Sequence, residues 1–163
     1  MDTIFALATA QGRAGVAVVR ISGPEAFVCA QSLCGTLPPA RRVGVRNLRD
    51  GEGAPIDQAL VVCFDQPNSF TGEDVVELHL HGSIAVVAAV LRILGEGPAR
   101  VAEPGEFTRR ALENDRMDLA QVEGLGDLIE AETEAQRQQA LRMMQGALGE
   151  KIESWRSQLI RAA

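Results

Sequence analysis

Asp74-Val75-Val76-Glu77-Leu78-His79-Leu80-His81 alternates apolar and polar side chains. Successive side chains of a strand point to opposite faces. Val76, Leu78 and Leu80 therefore share one face, and Glu77, His79 and His81 the other. Three polar groups spaced about 7 Å apart in succession could form a solvated strand face, line a polar ligand pocket, or bind a metal through the His-x-His pair and the preceding carboxylate. The strand leaves these readings open, although the chain has no third histidine to complete a metal set.

Outward from this strand, short apolar runs alternate with Gly, Pro and Asn clusters. Strands are predicted at residues 3–8, 16–21, 42–48, 58–64, 74–81 and 99–102, and helices at 24–33, 84–94 and 105–113. Ser22 followed by Glu25 reads as a capping box with Pro24 in the first turn. Strands and helices interleave without a clean βαβ period, which predicts an α+β domain on a mixed sheet. The pattern changes near residue 117, after which only helix is legible. Asp118 with Gln121, and Thr133 with Gln136, are helix-start signals. Asp118 reads as a cap and not as a catalyst. A long helix is then expected to carry Leu141, Met144, Leu148, Ile152, Trp155 and Leu159 as one stripe, running to Ala163 without a stop signal. Such a stripe needs a partner to cover it, so the sequence reads as cut in mid-architecture.

Composition narrows the function classes. The 163 residues, 46% hydrophobic, suffice for one domain with an appended element. The 16 basic and 22 acidic residues leave a net charge of −6, which argues against phosphate-driven nucleic-acid binding as the main role. No apolar run approaches the roughly 18 residues of a membrane-spanning helix. The start Met1-Asp2-Thr3-Ile4 lacks a basic leader region, so a cytoplasmic protein is expected. Cys29, Cys34 and Cys63 form no CxxC pair and read as small buried hydrophobes in a reducing compartment.

Arg20 stands in the otherwise apolar run Val16-Ala17-Val18-Val19-Arg20-Ile21. Burying it there requires a carboxylate of the chain, an edge position, or a carboxylate of a ligand. Arg109, Arg110 and Arg116 could form a small basic patch, with a solvated helix face expected for Arg109 and Arg110 and a turn position for Arg116. No P-loop, G-x-S-x-G or H-E-x-x-H occurs; Gly146-Ala147-Leu148-Gly149-Glu150-Lys151 has the wrong spacing for a P-loop.

Six ordered motifs carry a resemblance. They are Asp2-Thr3-Ile4, the run from Gly12-Arg13-Ala14-Gly15 through Arg20-Ile21-Ser22-Gly23, Asn68-Ser69-Phe70-Thr71-Gly72-Glu73-Asp74, Glu77-Leu78-His79-Leu80-His81-Gly82, Pro104-Gly105-Glu106-Phe107-Thr108-Arg109-Arg110-Ala111, and Arg116-Met117-Asp118-Leu119-Ala120-Gln121. Together the chain resembles the N-terminal part of the MnmE (TrmE) family of tRNA-modification GTPases. The resemblance implies a folate-binding and dimerisation domain over residues 1–117, similar to the glycine-cleavage T protein. It further implies the first helices of a helical domain over 118–163, with the GTPase domain absent. It implies a tetrahydrofolate one-carbon donor, 5-formyl- or methylene-tetrahydrofolate, contacted by Arg20, Glu77 and Arg116. In the family this supports a 5-carboxymethylaminomethyl-type modification at C5 of the wobble uridine of tRNA, with the flavoprotein partner MnmG (GidA). The family's GTP, potassium and magnesium belong to the missing GTPase domain, so this chain is not expected to hydrolyse GTP alone. No catalytic residue and no metal site are assigned. The alternative is a dimerisation scaffold that binds no ligand. Two departures stand out: Arg116 where the family often has Lys, and Ser83 where it commonly has a second Gly after the strand.

Overall fold

The computed structural model describes residues 2–162, leaving aside the side chains of Leu148, Glu150, Glu153, Ser154 and Ala162. The alternating run around Glu77 forms a strand at the middle of a six-stranded sheet. In chain order the strands are β1 (Ile4–Leu7), β2 (Val16–Ser22), β3 (Gly44–Arg49), β4 (Pro55–Phe64), β5 (Val75–His81) and β6 (Arg100–Val101). They lie in the order β3-β4-β5-β2-β1-β6, antiparallel throughout except for the parallel β1–β6 pair. The sheet is mixed, and the fold is α+β.

Two helices, α1 (Ala26–Cys34) and α2 (Ile84–Gly95), contribute to the core built on one face of this sheet. That core joins Val19 and Ile21 of β2, Ala59, Val61 and Cys63 of β4, and Val76, Leu78 and Leu80 of β5 to Ala26, Ala30 and Leu33 of α1 and to Val90 and Leu94 of α2. Residues of opposite parity, including Arg20 and Glu77, fall on the other face. The period-2 pattern thus separates the core from the polar side chains discussed below.

The expected capping box at Ser22 does not form. Ser22 is the last residue of β2, and its hydroxyl contacts Thr71 Oγ1 at 2.7 Å and donates to Glu73 at 2.7 Å. The α1 start is held instead by Thr3, whose Oγ1 accepts the Glu25 backbone N–H at 2.8 Å. A strand neighbour therefore supplies the oxygen that a local cap usually provides. The Ser83 departure has a simple structural account. A Cβ at Gly82 would stand 2.3 Å from the Ala14 carbonyl oxygen, so small size is required there. Ser83, at an extended φ of −84°, is the residue before α2 and needs no glycine.

Packing divides the chain into two compact units, Met1–Arg110 and Ala111–Ala163, the division falling inside α3 (Glu106–Glu113). The second unit holds α4 (Leu119–Glu130), α5 (Glu134–Met144) and α6 (Ala147–Ala162). Both expected start signals are present as complete capping boxes, Asp118 with Gln121 and Thr133 with Gln136. The single long helix is corrected to two. Gly146, at φ 88°, takes a left-handed conformation that interior helix residues avoid, and it separates α5 from α6. Gln121 completes this junction, because its Nε2 donates to the Met144 carbonyl at 3.2 Å. Of the expected stripe, Ile152, Trp155 and Leu159 are exposed on α6, while the Leu148 side chain and Ala163 lie outside what is described.

Gly124 of α4 lies against the C-terminal end of α5. A Cβ there would lie 2.6 Å from the Met144 backbone nitrogen and 2.8 Å from Met143 Cβ. Gly124→Ala is therefore expected to destabilise the helical unit by about 1–3 kcal/mol, despite the better helix propensity of alanine. Gly126→Ala, with nothing within 4 Å of the added carbon, is expected to raise stability by up to about 1 kcal/mol. Thermal melts of the two variants, followed by circular dichroism, check both signs.

Candidate functional site

Arg20 and Glu77 are direct cross-strand partners in the antiparallel β2–β5 ladder. The register brings an isolated cation on one strand opposite an isolated carboxylate on the next. Arg20 donates from Nε and Nη2 to the same Glu77 oxygen, Oε1, at 2.9 and 2.7 Å. The other oxygen, Oε2, lies 3.3 Å from His79 Nε2. Both members of the pair are partly exposed, with side chains 24% and 18% accessible, so the pair is reachable from solvent. Two aromatic rings flank it: the Arg20 guanidinium carbon lies over Phe70 at 5.1 Å and over Phe107 at 5.7 Å from the ring centres. Arg20 is thus held by a carboxylate and by cation–π contacts together. The chain's own carboxylate is the partner that Arg20 requires.

A partly buried charge network, centred on Arg110 and Glu106, holds the segments that carry those rings. Arg110, only 3% exposed, donates to the Asp2 carboxylate at 2.8 Å and to its backbone carbonyl at 2.7 Å. It also donates to Glu73 at 3.0 Å and to Glu106 at 3.0 Å. Arg100 grips both Glu106 oxygens, at 2.6 and 2.8 Å. Ser22 and Thr71 complete the cluster through the hydroxyl contacts described above. The network ties the N-terminal segment, the Thr71–Glu73 turn, β6 and α3 together. Phe70 precedes Thr71 and Phe107 follows Glu106, so each ring sits one residue from a buried polar anchor. The expectation of a solvated face for Arg110 is overturned: three carboxylates make its burial tolerable. Arg109 is exposed, as expected, and pairs with Glu103 at 3.0 Å.

The Arg100 hydrogen bonds hold the Glu106 carboxyl at about 2, against an ordinary 4.5. A carboxylate depressed in the folded state stabilises it fully above its unfolded value and loses that contribution as pH falls toward the folded value. Wild-type stability is therefore expected to fall more steeply than that of Glu106→Gln between about pH 4.5 and pH 2. Urea titrations at a series of pH values measure that difference.

His81 does not converge with Glu77 and His79, because its Nδ1 pairs with Asp57 Oδ1 at 2.6 Å on β4. Among the described residues no three His, Cys, Asp or Glu side chains gather in a geometry able to hold a metal. Cys29 and Cys63 are buried and Cys34 is half-buried. Burial raises all three thiols, Cys63 to about 11, and so disfavours nucleophilic thiolate. Arg116 lies in the second unit, exposed, in the turn that follows α3; its N–H donates to the Ala111 carbonyl at 2.8 Å, next to Asp115 at φ 55°.

Sequence reading passed over Phe70, Phe107, Glu73 and Glu106. A usable signal was present, since the chain has five phenylalanines, no tyrosine and one tryptophan. Two of those few rings fall within polar, glycine-punctuated motifs where a core role is unexpected.

A mixed-sheet α+β domain bearing a guanidinium–carboxylate–aromatic site, followed by a helical domain, is the class of protein these features define. The family model described as "GTP-binding protein TrmE N-terminus" matches residues 3–116, and the one described as "MnmE helical domain" matches residues 119–163. The chain is similar to the tRNA modification GTPase MnmE of Roseobacter denitrificans, 65% identical over the whole chain, and to that of Dinoroseobacter shibae, 63% identical over 99% of it. It is 57% identical over 99% of its length to the tRNA modification GTPase MnmE of Caulobacter vibrioides. The chain belongs to the MnmE family, and it spans 36–38% of the length of these curated relatives.

Proposed function

We propose that residues 1–117 form a folate-binding and dimerisation domain and that residues 118–163 begin a helical domain, together supporting tRNA modification. The observation that carries this reading is the Arg20–Glu77 pair, partly exposed beside Phe70 and Phe107. A reduced folate combines a planar pyrimidine edge rich in N–H donors with a tail bearing two carboxylates. Glu77 can accept from the donor edge, the rings can stack on it, and Arg20 can grip a tail carboxylate or a carbonyl oxygen. The donor set fits the ligand in charge and in hydrogen-bonding capacity. Arg116 serves an anionic or carbonyl oxygen; being an arginine, it offers a planar fork where a lysine offers a point charge.

When bound, 5-formyl- or methylene-tetrahydrofolate supplies a one-carbon unit for C5 of the wobble uridine. This chain's residues bind and orient that donor. GTP, potassium and magnesium belong to a GTPase domain outside this chain, while MnmG and tRNA are partners of the whole assembly. The setting is the cytoplasm.

One observation favours a second reading. Arg20 and Glu77 satisfy each other, so the pair also suits a dimerisation scaffold that binds nothing. Sedimentation of the purified chain with ultraviolet detection of 5-formyltetrahydrofolate separates the two readings. Co-sedimentation of the folate with a dimer is the expected result. A dimer that leaves the folate behind favours the scaffold.

A further inference from the structure

We propose that Arg20 is a built-in competitor for the Glu77 seat, a role that rests on the folate reading of the same site. A guanidinium is a planar carbon bearing nitrogen donors. The 2-amino-4-oxopyrimidine edge of a pterin presents the same pattern, a ring N–H and an amino group on one carbon. In the structure the Arg20 guanidinium takes the place such an edge needs, with two N–H groups on Glu77 Oε1 and its face near Phe70 and Phe107.

Arg20 places two N–H groups on Glu77 Oε1 and His79 stands at Oε2, so no further partner can span both oxygens while Arg20 is in place. A ligand edge can reach Glu77 bidentately only when Arg20 leaves. Arg20 is partly exposed, and its long side chain has several rotatable bonds through which the guanidinium can leave Glu77 for solvent. Once displaced, its charge is available for the tail carboxylates or a carbonyl of the same ligand. A ligand with a tail repays the displacement, whereas a bare ring does not. The device therefore discriminates for tailed folates against free pterins.

An occupant bound nine-tenths of the time lowers apparent affinity about tenfold. Removing it restores that factor for a ligand that makes no other use of it. The test titrates pterin (the bare 2-amino-4-oxopteridine ring) and 5-formyltetrahydrofolate into wild type, Arg20→Ala and the double variant Arg20→Ala/Glu77→Gln. Pterin is expected to bind Arg20→Ala about tenfold more tightly than wild type and to be lost in the double variant. The tailed folate is expected to bind Arg20→Ala more weakly than wild type. Equal pterin affinity for wild type and Arg20→Ala, with folate still bound by wild type, overturns the competitor role and leaves the folate reading standing. Where wild type binds no folate, the folate reading fails by itself and methylguanidinium becomes the probe. A thermal midpoint raised by millimolar methylguanidinium in Arg20→Ala, but not in the double variant, then supports the seat. No rise overturns it.

Discussion

Replacing Arg110 with alanine is expected to lower the unfolding free energy by about 3 kcal/mol, the low end of the loss seen when one partner of a buried ion pair is removed. Arg110 is 3% exposed and serves Asp2, Glu73 and Glu106. Its removal leaves Glu73, only 12% exposed, with no cation among the contacts described above. Arg100 continues to serve Glu106, which keeps the loss from the high end of the range. Arg109→Ala, one position earlier on the same helix, removes the exposed Glu103 pair and a longer 3.6 Å contact with Glu106, which keeps Arg100 and Arg110, and is expected to change stability by no more than about 1 kcal/mol. Urea denaturation of the two variants gives the contrast. Equal losses would remove the basis for treating the network as the anchor of α3. Because Phe107 follows Glu106, Arg110→Ala is also expected to weaken ligand binding at temperatures where the variant remains folded.

The second large effect falls on binding. Glu77→Ala is expected to reduce affinity for 5-formyltetrahydrofolate by about 2 kcal/mol, some thirtyfold, because hydrogen bonds to a charged acceptor contribute roughly 1.5–3 kcal/mol. Its effect on stability is expected to stay near 1 kcal/mol or below, since the pair with Arg20 is partly exposed. Glu77→Gln keeps the shape but turns one acceptor into a donor facing other donors, so binding is expected to fall by a similar amount. Isothermal titration of both variants, alongside their urea midpoints, separates lost recognition from lost folding.

The sheet was largely legible because it rests on local rules. Period-2 alternation in residues 74–81 fixed which side chains enter the core, and all six strands and the first three helices fall where the pattern places them. Helix starts were legible where the cap is local, as at Asp118 and Thr133. They were illegible where the partner is distant: the oxygen that holds the start of α1 comes from Thr3, and Ser22 is drawn into the Thr71–Glu73 cluster. The α5–α6 break falls at Gly146, and the apolar spacing that continues through it hid it. At the site, Arg20 and Glu77 stood out individually as a cation in an apolar strand and a carboxylate on a polar face. Their pairing depends on the β2–β5 register, which neither strand specifies alone. Arg110 was misread because its partners lie 108, 37 and 4 residues away, and only folding collects them.

On the proposed reading, this sheet face holds a reduced folate through Glu77. Calorimetric titration of the 163-residue chain with 5-formyltetrahydrofolate, with the mass in solution determined on the same sample, decides it. Saturable binding by a dimer, lost in Glu77→Ala while that variant remains folded, is the predicted result. A well-folded dimer that releases no heat with the folate and leaves it free in dialysis would contradict the claim.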